Sequence, residues 1–105
     1  MKREEIQNKI EQNDAVLLYF SGKNCAVCKA LQPKIHDLFT ENFPKIEQIY
    51  ISADIYPEIA AYFSIFTVPS LLVYFEGKET KRESRNISVD QLAQKTKRLY
   101  ELYFD

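Results

Sequence analysis

Apolar and polar positions divide the chain into short, well-marked segments. Residues 15–20, Ala15-Val16-Leu17-Leu18-Tyr19-Phe20, form an apolar run with polar residues on both sides. Such a run reads as a buried strand. Beyond it, Leu31, Ile35, Leu38, Phe39 and Phe43 recur at helical spacing. They predict a helix from about Cys25 to Asn42. Pro33 lies inside that helix, where it removes one backbone hydrogen bond and bends the axis. A second strand is predicted from Lys45 to Ser52 on Ile46, Ile49 and Ile51. Strand, helix and strand in that order predict a parallel pair joined by a right-handed crossover.

The flanking segments complete the pattern. Residues 2–12 read as a helix with Ile6 and Ile10 on one face, ended by Asn13-Asp14. After the second strand, Asp54-Ile55-Tyr56-Pro57 turns into a short helix through Tyr62-Phe63. Thr67-Val68-Pro69-Ser70 then leads into a third strand, Leu71 to Phe75. Gly77 marks a hairpin turn. The fourth strand, roughly Lys78 to Arg85, is almost entirely polar, which suits an outer strand whose charges discourage edge pairing. Ser88 caps a last helix with an inner stripe of Val89, Leu92, Ala93, Thr96, Leu99, Tyr100 and Tyr103. The predicted order is αβαβαββα, an α/β fold with a four-stranded mixed sheet flanked by helices.

Composition narrows the classes. At 105 residues the chain is expected to form one domain, 1–105, with one core. An apolar fraction of 46% argues for a folded globule rather than disorder. A net charge of −1 gives no reason to expect nucleic acid or an anionic membrane surface as partner. No apolar run is long enough to span a bilayer. The start, Met1-Lys2-Arg3-Glu4-Glu5-Ile6, is charged and no apolar segment follows it, unlike a signal peptide. The cytoplasm is the expected compartment.

The candidate chemistry lies at Ser21-Gly22-Lys23-Asn24-Cys25-Ala26-Val27-Cys28-Lys29, which holds both cysteines of the chain. They fall where the buried strand ends and the long helix begins. The first turn of a helix has backbone N–H groups without partners and carries partial positive charge. A thiolate at Cys25 would be stabilised there, and the thiolate is the form that attacks a disulfide. Cys28, one turn on, would lie beside it and could close on it. Cys-x-x-Cys near a βαβ pattern reads as a redox site. Two other readings stay open: buried structural thiols, or a metal or cluster shared by a dimer. A structural zinc site wants four ligands. His36, the one histidine, would lie about 16 Å along the helix from Cys25 and cannot complete a site in the same subunit. No metal or other cofactor is expected.

Taken with this placement, several further residues make the chain resemble the thioredoxin family over nearly its whole length. They are the apolar first strand, Cys25-Ala26-Val27-Cys28-Lys29, the helix proline Pro33, Asp54 with Pro57, Val68-Pro69 before the third strand, and the turn Phe75-Glu76-Gly77-Lys78. The resemblance implies a thioredoxin-like fold lacking the family's first strand. It implies a thiol–disulfide oxidoreductase that reduces or exchanges protein disulfides, with a part in electron transport and cell redox homeostasis. Cys25 would be the nucleophile, Cys28 the resolving thiol, and the two a redox disulfide. Val68-Pro69 would be a cis peptide facing that disulfide, with the Val68 backbone free to pair with an extended substrate. The implied partners are disulfide-containing proteins and a recycling reductase or low-molecular-weight thiol.

The departures from the family matter too. Ser21 and Asn24 stand where tryptophans are usual, and Ala26-Val27 replaces the usual Gly-Pro. The buried acid of the first strand is Tyr19, its accompanying lysine is Tyr50, and a glycine common near the site's rim is Arg85. Tyr19 and Tyr50 are expected to be core packing. These losses motivate a second reading, a binding module that keeps the fold with little turnover. A monomer is expected, with dimerisation through the edge at Ile46–Ile51 as the alternative.

Overall fold

The computed structural model describes residues 1–104. The elements are α1 (Arg3–Gln12), β1 (Ala15–Ser21), α2 (Ala26–Asn42), β2 (Glu47–Ser52), α3 (Pro57–Tyr62), β3 (Ser70–Phe75), β4 (Lys78–Ser84) and α4 (Val89–Phe104). Their order is the predicted one. The sheet runs β2-β1-β3-β4. β1 pairs parallel with β2, and β3 pairs antiparallel with both β1 and β4.

The unbroken apolar run of β1 has a simple cause: both of its faces are buried. Val16, Leu18 and Phe20 pack on one side with Ile6 and Ile10 of α1, Ile59 of α3 and Leu72 of β3. Ala15, Leu17 and Tyr19 pack on the other with Ile35 and Phe39 of α2, Leu71 and Val73 of β3, and Leu92 of α4. Each such large apolar side chain contributes about 1.5–3 kcal/mol of burial. The aromatic end of α4 closes the second layer. Tyr100 lies 5.2 Å from the Phe43 ring and Tyr103 lies 5.5 Å from Phe75.

Boundaries shift slightly from the sequence reading. Cys25 caps α2 rather than joining it. β2 starts at Glu47, and Ile46 and Ile51 are buried in the core. β4 ends at Ser84, because Arg85 turns into the left-handed region at φ 54°. Ser88 does cap α4: its Oγ accepts from the Gln91 N–H at 3.3 Å. Polar β4 is also tied down, since Arg82 pairs with Glu79 and donates to the carbonyls of Phe63 and Ser64 at the end of α3. The Arg82 hydrogen bond holds the Glu79 carboxyl below its ordinary range.

Candidate active site

β1, central and buried, delivers Ser21 to one end of the sheet, and the chain turns there into α2. The Ala53 N–H donates to the Ser21 carbonyl at 2.8 Å, carrying the β1–β2 ladder one step further. The turn is pinned by a contact the sequence reading missed. Asp54 Oδ2 accepts the backbone N–H of Lys23.

Gly22 is bare for a steric reason. A Cβ there would come 3.0 Å from Val68 Cγ2, 3.4 Å from Asp54 Oδ2 and 3.8 Å from Cys25 Cβ. Val68, Asp54 and Cys25 therefore converge on the face of Gly22. This brings the loop before β3 against the cysteine turn.

Cys25 and Cys28 are joined by a disulfide with their Cα atoms 5.2 Å apart. The two sulfurs differ in setting. Cys25, at the N-cap, is half-buried, and its Sγ accepts the Cys28 N–H at 3.2 Å. Cys28, inside the first turn, is only 1% exposed. An N–H directed at Sγ and the positive end of a helix both favour a thiolate at Cys25 once the bridge is open.

The Val68–Pro69 peptide is cis. Pro69 is buried, Val68 is half-buried, and Ser70 Oγ donates to the Thr67 carbonyl at 2.7 Å. On the far side, the Arg85 N–H donates to the Pro69 carbonyl at 3.0 Å. Phe66, in the same loop, is 86% exposed, and no periodicity in the sequence marked it as such.

Beneath the pair lies Tyr19. It is fully buried, as its place in the core requires, and its hydroxyl donates to the Cys28 carbonyl at 3.1 Å. Its ring sits 5.7 Å from that of Tyr50, whose hydroxyl donates to Gln48 Oε1 at 2.6 Å. Burial pushes Tyr19 up to about 12. Burial, with smaller contributions from Tyr19 and Asp37, does the same for Tyr50. Both are neutral phenols near pH 7. His36 lies apart on the exposed face of α2, with Nδ1 3.6 Å from Asp37. Among the described residues, no three His, Cys, Asp or Glu side chains gather as a metal site.

A turn of this kind stores or delivers a pair of electrons by making or breaking one S–S bond, which is thiol–disulfide exchange. The Thioredoxin family model matches residues 1–98, and the chain belongs to that family. It is thus a thiol–disulfide oxidoreductase of the dithiol kind. The chain is 42% identical over 98 residues to the thioredoxin-like protein YdfQ of Bacillus subtilis, covering 93% of this chain and 87% of that one. Thioredoxin 1 of Thermosipho africanus superposes with a TM-score of 0.78 at 29% identity, covering 86% of this chain and 99% of the other. A mutant thioredoxin from Halobacterium salinarum shares the fold, with a TM-score of 0.81 at 22% identity over 100% of this chain and 88% of the other.

Proposed function

We propose that the protein reduces disulfides in protein substrates, with Cys25 as nucleophile and Cys28 as resolving thiol, within one domain spanning 1–105. The observation that carries this reading is the asymmetry of the pair. Cys25 Sγ is partly open at a helix end and receives an N–H, whereas Cys28 is buried behind it.

The reaction starts from the open pair. The Cys25 thiolate attacks one sulfur of a substrate disulfide, that S–S bond breaks, and the other substrate sulfur leaves as a thiolate and takes a proton. A mixed disulfide now joins Cys25 to the substrate. Cys28 loses its proton and attacks Cys25 Sγ. The second substrate thiol leaves, and the Cys25–Cys28 bridge forms. Two electrons have passed to the substrate. A separate reductase or a low-molecular-weight thiol returns them. Val68, which lies beside the cysteine turn with Pro69, offers its backbone to the substrate strand. The cytoplasm, where thiols are kept reduced, is the setting for this direction of exchange and for a role in redox homeostasis.

The test is turnover of a disulfide-bonded protein such as insulin with an excess of dithiol reductant. The wild type should accelerate it and Cys25→Ser should not. Cys28→Ser should stop as a covalent adduct with the mass of one enzyme plus one substrate chain. Adducts forming through Cys28 in Cys25→Ser instead would reverse the roles.

A further inference from the structure

Among the described residues, three other than glycine have positive φ: Ser64, Glu76 and Arg85. The first two have evident reasons. Ser64 ends α3, where the Ile65 N–H returns to the Ala60 carbonyl at 2.8 Å. Glu76 and Gly77 make the tight turn between β3 and β4. Arg85 is different. The chain must turn left-handed after β4, and glycine meets that demand without a Cβ penalty. An arginine stands there instead.

Its side chain does nothing visible for the fold. Arg85 is exposed, and among the described residues its guanidinium has no ion pair and no hydrogen bond. Its position is informative, however. Ser70 pairs with Ser84, and the next residue, Arg85, binds the Pro69 carbonyl through its N–H. β3 lies between β1 and β4 in the sheet, so Pro69 lies between the cysteine turn and Arg85. Arg85 is therefore the far rim of the Val68–Pro69 slot. The near rim carries exposed Lys23 and Lys29 together with the Asp54 carboxylate, whose Oδ2 accepts the Lys23 N–H. An exposed cation beside Val68–Pro69, where the substrate strand is proposed to lie, is placed to meet a charge on that strand.

The geometry points to Arg85 as a specificity-determining residue that favours disulfide segments bearing a carboxylate near the reacting cysteine. The inference rests on the dithiol reading and names its substrate class as acidic peptide. An arginine suits this task because its planar fork accepts a carboxylate in two parallel hydrogen bonds.

Paired synthetic peptides test it. Each holds one cysteine in a mixed disulfide with a neutral small thiol and differs only in Glu or Gln two residues away. The readout is the ratio of first-attack rates, Glu over Gln, for the reduced protein at low and high ionic strength. The wild type should favour Glu by about two- to fivefold, the range of an exposed ion pair, and less in high salt. The ratio should fall to about one in both Arg85→Gln and Arg85→Gly and survive in part in Arg85→Lys. A wild-type ratio of one overturns the assignment while leaving the dithiol chemistry intact. A preference undiminished in Arg85→Gln overturns it too and moves the selectivity to Lys23 or Lys29. If the protein attacks neither peptide, the oxidoreductase reading fails and the specificity claim falls with it.

Discussion

The Tyr19 hydroxyl donates to the Cys28 carbonyl at 3.1 Å. The residue at the position of the family's buried acid therefore holds the second cysteine's backbone rather than offering a base. Burial pushes Tyr19 up to about 12, so it keeps its proton throughout the neutral range. In the proposed role, Cys28 must lose its proton by another route before it resolves the mixed disulfide. Resolution, not first attack, should limit turnover near neutrality. Its rate should rise with pH across the neutral range, because only the thiolate resolves the mixed disulfide. Tyr19→Asp should quicken that step and destabilise the fold by about 3 kcal/mol or more, through lost packing and an unpaired buried charge. Stopped-flow measurement of both steps between about pH 6 and pH 9 checks this. A flat resolution rate that ignores Tyr19→Asp would mean another group takes the proton.

The same burial sets the protein's behaviour in alkali. Tyr19, Tyr50 and Tyr74 are all pushed up to about 12, burial being the first cause in each. The unfolded chain titrates its phenols near 10. Between those values the unfolded state has released protons that the folded state still holds. This contribution to stability is full below about pH 10 and is lost as pH rises through about 12. Urea unfolding should give a nearly constant free energy from about pH 8 to 9 and a steep fall above about pH 10. Tyr19→Phe should make that fall shallower by about one proton, and should cost about 1 kcal/mol at neutral pH for the lost bond to Cys28. An unchanged slope would remove Tyr19 from the account.

Gly22 ties the cysteine turn to the loop before β3 through the space it leaves. Gly22→Ala puts a methyl 3.0 Å from Val68 Cγ2. It should cost about 1–3 kcal/mol in chemical denaturation, since the loop must give way. Val68→Ala removes the opposing methyls. The double variant should recover part of that loss, a coupling of about 0.5 kcal/mol or more between neighbours. Strict additivity would show that the two residues do not press on each other in solution.

Much of this was legible in the sequence, and the reasons are local. The run Ala15–Phe20 announced a strand because both of its faces are buried, so no polar residue interrupts it. The spacing of Cys25 and Cys28 fixed them on one helical turn. Pro69 was readable only through its resemblance to a known pattern, because a cis bond leaves no mark on composition. What stayed hidden depends on contacts between distant segments. Arg82 fastens the end of α3 across nearly twenty residues, yet in sequence it is one charge in a polar strand. Asp54 reads as part of a helix start, and only the fold brings it to Lys23. Arg85 reads in sequence as a replaced glycine, and its left-handed backbone follows only from where β4 ends. The edge of β2 is less apolar outward than Ile46, Ile49 and Ile51 suggested, since Ile46 and Ile51 are buried and Lys9 covers Glu47 through an ion pair of 3.2 Å. A charge on that edge discourages strand pairing, so sedimentation should show a monomer.

The central claim is the inequality of the two thiols. It is tested by reducing the protein, adding a limiting amount of iodoacetamide at about pH 7, and mapping each cysteine by mass spectrometry against time. Cys25 should be modified at least about tenfold faster than Cys28, and faster than a free thiol of pKa about 8.5. Equal rates at the two positions, or earlier modification of Cys28, would contradict the assignment of nucleophile and resolving thiol.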